Sequence, residues 1–86
     1  MDVTIACFNV NGLLDKCKRT AVFRFSESTN TNIILLQETH SSTLTQYTWQ
    51  NEWTLGQSIF HSPTNEKNNA GVAILLKTKH IYIWKK

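Results

Sequence analysis

The chain has no apolar run long enough to cross a membrane: the longest, Val72–Leu76, falls far short of the roughly 20 residues a spanning helix needs. Its second residue is Asp2, where a secretory leader would carry positive charge, so no leader is expected either. Both absences point to an intracellular protein of the nucleus or cytoplasm without a membrane partner. Cysteine is scarce. Cys7 and Cys17 match no zinc-ligand spacing and read as reduced packing residues, one on a strand and one on a helix. There is no internal repeat, no low-complexity tract and no interdomain linker. With 86 residues there is room for one small domain and a modest core. Acidic residues are in the minority: six Asp and Glu face nine Lys and Arg, a net charge of +3 that favours polyanionic partners and leans toward nucleic acid.

Val3-Thr4-Ile5-Ala6-Cys7-Phe8 is β-branched and apolar on both alternating faces, which predicts a central strand. It stops at Asn9-Val10-Asn11-Gly12, where Asn-Gly signals a turn because both residues tolerate positive φ. Asp15 is placed to cap a helix running to about Ser28. At helical spacing Leu14, Cys17, Ala21 and Phe25 form an apolar face, and Lys16, Arg19, Thr20 and Arg24 a solvated one. Phe23 breaks that pattern. After the polar break Ser28–Thr31, the four apolar residues Ile33–Leu36 open a strand to Gln37 that is covered on both faces. Strand, helix, strand in this order predicts a parallel pair joined by a crossover. Ser41–Thr48 reads as loop, Trp49–Trp53 as a helical turn with two aromatic anchors, Gln57–His61 as a strand and Ser62–Asn69 as loop. Ala70–Leu76 gives another doubly apolar strand, and Lys77–Lys86 is either an edge strand or a basic tail.

Glu38 sets a carboxylate at the carboxyl end of the Ile33–Gln37 strand, followed by Thr39 and His40. In open α/β sheets ligands bind outside that end of the strands. Taken alone, the stretch is either a site or the start of a solvated loop.

Three segments in register narrow the choice: Phe8-Asn9-Val10-Asn11-Gly12-Leu13 after the first strand, Leu36-Gln37-Glu38-Thr39-His40 after the second, and Gly71-Val72-Ala73-Ile74-Leu75. Together they resemble the start of the endonuclease/exonuclease/phosphatase superfamily, most closely the endonuclease domain of non-LTR (LINE-type) retrotransposon polyproteins. The resemblance implies an α/β two-sheet sandwich with a Mg²⁺ or Mn²⁺ site at one edge, where activated water cleaves a phosphodiester, here of DNA. It implies Glu38 as the metal-binding glutamate, Asn11 beside the metal, and Asn9 as the catalytic residue that orients its neighbours. His40 and Arg19 are substrate-binding candidates: His40 reads either as a phosphate contact or as a solvated loop histidine, and Lys16, Lys18, Arg19 and Arg24 either as contacts to a DNA backbone or as a solvated helix face. Relatives often carry a basic residue shortly after the Asn-Gly turn, where this chain has Leu14. Trp49, Trp53 and Trp84 read either as base-stacking platforms or as packing anchors.

The likeness is strongest over residues 3–76 and covers the first third of a sandwich that runs to roughly 200–250 residues. The family's Asp-x-Asn pair and terminal Asp-His dyad have no counterpart, since the acidic residues are Asp2, Asp15, Glu27, Glu38, Glu52 and Glu66. The expectation is therefore an incomplete sandwich spanning 1–86, with 77–86 as a divergent tail. Such a chain is the N-terminal fragment of a DNA-nicking, Mg²⁺-dependent endonuclease, inactive by itself for want of a general base. The alternative is a non-catalytic remnant that binds nucleic acid weakly through its charge, or has no function.

Overall fold

A computed structural model of the chain describes residues 3–62 and 71–77. Six elements follow one another: β1 (Ile5–Asn9), α1 (Lys16–Ser28), β2 (Ile33–Gln37), α2 (Gln46–Glu52), β3 (Ser58–His61) and β4 (Val72–Leu76). The four strands form one sheet in the order β1-β2-β4-β3. β1 and β2 run parallel, with Ala6 opposite Ile34 and Phe8 opposite Leu36, as the strand-helix-strand pattern predicts. β4 pairs antiparallel with both β2 and β3. The described residues thus form a small mixed α/β domain with one four-stranded sheet and two helices.

The registers sort the side chains into two faces. Phe8, Ile34, Leu36, Ala73, Leu75 and Phe60 share one face, on which Leu13, Phe23, Trp49 and Trp53 complete the core. Edge-to-face aromatic pairs knit it: Phe23 lies 5.9 Å from Trp53 and 6.5 Å from Phe60, and Trp49 lies 6.0 Å from Phe60. Such pairs add roughly 0.5–1.5 kcal/mol each to the area they bury. The other face carries Ile5, Cys7, Ile33, Leu35, Ile59, Val72, Ile74 and Leu76; Leu76 is buried there, whereas Ile5 and Val72 are 59% and 47% exposed.

Three expectations are corrected here. β1, read as a central strand, is an edge strand among the described residues, because it pairs there with β2 alone. Cys7 and Cys17, read as packing residues, are exposed thiols. The buried residues of α1 are Arg19, Phe23 and Ser26, whereas Leu14, Cys17 and Phe25 of the expected apolar face are exposed. Phe23 turns the helix, because it fills the space between Trp53 and Phe60. Phe25 instead packs on Phe8 at 5.4 Å.

The rotation buries Arg19 to 6% exposure, which is tolerable because each of its three nitrogens finds an acceptor. Nε and one terminal nitrogen bond the two Glu52 oxygens at 2.8 and 3.0 Å, and the other terminal nitrogen donates to Leu13 O at 2.9 Å. The guanidinium also lies 4.9 Å from the Trp49 ring. Arg19 therefore clamps α1 to α2, and this corrects its placement on a solvated face open to a substrate backbone.

The N-terminus of α1 is capped by Asp15 as its sequence suggests, and the other end is closed by contacts that the sequence did not signal. Asp15 Oδ1 accepts from Cys17 N–H at 2.7 Å and Lys18 N–H at 3.3 Å. At the other end Thr29 Oγ1 donates to Ser26 O, and Lys77 Nζ donates to the carbonyls of Glu27 and Thr29. A cation there satisfies terminal carbonyls and complements the helix dipole. Helix α2 starts at Gln46, three residues ahead of the expected Trp49. Trp49 and Trp53 are 3% and 4% exposed, so they are packing anchors. Trp84, and the tail apart from Lys77, lie outside the described residues.

Candidate active site

Of the sequence-predicted site residues, Asn9, Asn11, Glu38 and His40 meet where β1 and β2 end, while Arg19 turns to Glu52 of α2. Beyond the strands the ladder continues through Val10 N–H to Gln37 O (3.0 Å), Gly12 N–H to Glu38 O (2.7 Å) and Leu13 N–H to Thr39 O (2.9 Å). These three bonds zip the Asn9–Leu13 turn to the Glu38 loop. Leu13, fully buried, roots the turn in the core.

Asn9 is the hub. Its Nδ2 donates to Glu38 Oε2, and its Oδ1 accepts the backbone N–H of Asn11 at 3.0 Å. Holding the amide at both ends fixes its plane and so fixes one oxygen of the carboxylate. The other oxygen, Oε1, has no hydrogen-bond donor among the described residues. Lys18 Nζ donates to Asn11 O at 3.0 Å, which places an ammonium over the turn.

Backbone strain gathers at the same place. Asn11 (φ 51°), Glu38 (φ 54°) and His40 (φ 56°) are the non-glycine residues with positive φ among the described residues. Asparagine visits this region readily and histidine more than most, but glutamate does not. Positions of this kind cost of order 1–3 kcal/mol each and cluster where geometry serves a site. The sequence signalled only the Asn11-Gly12 pair; nothing local marks Glu38 or His40.

His40 is half-buried rather than fully solvated. Its Nδ1 lies 2.5 Å from where a Cβ on Gly12 would stand, so the ring rests on bare backbone. Its Nε2 is shielded from solvent with no partner among the described residues. Gly12, at φ 93°, serves both the turn and this contact.

Beside Asn9 a recess of about 360 Å³ is lined by Phe8, Val10, Ala21, Val22 and Phe25, with Lys18 at its mouth. A larger one, about 560 Å³, lies at the far end of the sheet between α2 and β3 and carries no charged side chain.

The donor set fits a hard divalent cation in part. Mg²⁺ takes oxygen ligands and is commonly held by one or two carboxylates together with water and substrate phosphate. Glu38 offers the carboxylate, and the exposed Asn11 amide is the neighbouring oxygen donor of the turn. Among the described residues no group of three or more His, Cys, Asp or Glu side chains is placed to hold a metal. No protein-family model matches the chain, and no curated protein matches it.

Proposed function

We propose that this end of the sheet is one wall of a divalent-metal phosphodiesterase site of the endonuclease/exonuclease/phosphatase type, with DNA as substrate. In this reading Glu38 is the metal ligand, Asn11 lies beside the metal and Asn9 orients the carboxylate. The observation that carries it is the Asn9–Glu38 bond set among three left-handed residues. A carboxylate held rigidly by an amide that is itself held, with one oxygen left for a ligand, suits a cation better than it suits a solvated loop. A bound Mg²⁺ or Mn²⁺ would polarise the phosphate and lower the pKa of a coordinated water. The residues described do the holding: Asn9 sets the carboxylate, and Lys18 presents positive charge to the phosphate.

The parallel β1–α1–β2 unit and the antiparallel β4 beside it are compatible with the first sheet of a two-sheet sandwich, and the partly exposed apolar face that carries Ile5 and Val72 is where a second sheet would pack. In this reading the remaining carboxylates and the general base come from outside the chain, which by itself does not cleave. Arg19 is not carried forward as a substrate contact, because it is buried and four of its five N–H groups are engaged by Glu52, Leu13 and Leu14.

The test is a Mn²⁺ titration followed by paramagnetic broadening in a ¹H–¹⁵N spectrum. Broadening confined to the amides around Asn9, Asn11 and Glu38, and lost in Glu38→Ala, is the expected result. Broadening that survives in Glu38→Ala removes this residue from any metal site. For the activity, residues 1–76 joined to the C-terminal part of a retrotransposon endonuclease should nick supercoiled DNA, and Glu38→Ala in that chimaera should abolish nicking.

A further inference from the structure

We propose that Thr39, Ser41 and Ser62 form a hydroxyl latch that sets the direction of the Glu38 carboxylate, which makes them positioning residues of the candidate site. Its purpose rests on the metal-site reading; its geometry does not.

The loop from Glu38 to Ser41 alternates. Glu38 and His40 are only partly buried, whereas Thr39 and Ser41 are 0% and 5% exposed. Burying two neutral hydroxyls in a short loop is unfavourable unless each finds a partner. Here they do: Thr39 Oγ1 lies 2.9 Å from Ser41 Oγ, and Ser62 Oγ, at the end of β3, lies 3.0 Å from both Ser41 Oγ and Gln46 Oε1.

Each hydroxyl has one hydrogen, and an amide oxygen only accepts. Ser62 is the donor toward both Ser41 Oγ and Gln46 Oε1, sharing its one hydrogen between them, and either of Thr39 and Ser41 donates to the other, so the chain of hydroxyls ends on α2. Bare backbone closes the remaining side, since a Cβ at Gly71 would stand 2.6 Å from Thr39 Oγ1 and 2.9 Å from Ser41 Oγ.

Thr39 sits between the two left-handed residues with all its polar groups engaged. Its N–H donates to Gly71 O at 3.1 Å, its carbonyl accepts from Leu13 N–H at 2.9 Å, and its hydroxyl enters the chain. A residue tied at three points leaves Glu38 no freedom to relax from φ 54°. Cutting the chain lets Glu38 return toward a favoured conformation, and its carboxylate then leaves Asn9.

The readout is the Asn9 side-chain amide in a ¹H–¹⁵N spectrum of the whole chain. Glu38→Ala defines its position without an acceptor. Thr39→Val, equal in shape but without the hydroxyl, should move the Asn9 amide most of the way to that position while the β2 and β4 backbone amides stay. Thr39→Ser, which keeps the hydroxyl, should leave it near wild type. Should Thr39→Val fail to fold, Ser62→Ala removes the relay to Gln46 from outside the loop and decides in its place. An unmoved Asn9 amide in the folded variant overturns the latch, even if the melting temperature falls. The same samples with Mn²⁺ separate the two ideas. Loss of affinity on the order of tenfold in Thr39→Val, as when partners of a ligand are removed, supports both. An Asn9 shift as expected, with no Mn²⁺ broadening even in wild type, keeps the latch and removes the metal site.

Discussion

Replacing Glu52 by alanine should be among the most damaging single changes outside the aromatic core. It strands the Arg19 guanidinium, whose side chain is 7% exposed and whose two bonds to Glu52 measure 2.8 and 3.0 Å. Removing one partner of a fully buried ion pair costs roughly 3–5 kcal/mol, whereas an exposed pair is worth about 0.2–1 kcal/mol. Glu52 keeps 25% exposure, so water can reach part of the orphaned cation, and the expected loss is about 2–3 kcal/mol. A domain of this length is stable by about 4–13 kcal/mol in all, so the change removes a large share. Urea unfolding followed by tryptophan fluorescence is the assay, because Trp49 lies 4.9 Å from the guanidinium and reports the loss directly. The double variant Arg19→Met with Glu52→Leu should cost less than Glu52→Ala alone, since it removes the charge along with its partner. A Glu52→Ala midpoint within about 0.5 kcal/mol of wild type would refute the clamp, because only an exposed pair is that weak.

Phe23→Ala should cost about 3–5 kcal/mol by cavity formation, while Phe25→Ala, at a residue 55% exposed, should cost about 1 kcal/mol; equal losses in urea titrations would mean the helix face is assigned wrongly. Gly12→Ala should destabilise by about 1–3 kcal/mol through its φ of 93° and the approach of His40 Nδ1, and adding His40→Ala should recover the steric part in a thermal melt. A Gly12→Ala protein as stable as wild type would show that the turn adapts freely. Asp15→Ala should cost about 1 kcal/mol and raise amide exchange in the first turn of α1, at Cys17 and Lys18.

What the sequence determined is local. The apolar run Ile33–Leu36, the Asn11-Gly12 turn, the Asp15 cap and the polar breaks each act within a few residues, and the strands, α1 and the β1–β2 parallel pair follow from them. Asn9 and Glu38 were linked in the sequence only through the family resemblance; the β1–β2 register, with Asn9 opposite Gln37, is what sets them side by side.

What only the tertiary structure decided depends on partners far along the chain. Counting apolar residues put Arg19 in solvent, but the face that a helix buries is chosen by what it meets, and Glu52, 33 positions away, supplies the counter-charge. β1 looked central because its residues are apolar on both sides, yet among the described residues it pairs with β2 alone. Ser41 and Ser62 looked like loop residues because hydroxyls usually face water. Here the convergence of Thr39, Ser41, Ser62 and Gln46 gives each hydroxyl a partner, and a polar loop can be buried only when such partners arrive from elsewhere in the fold.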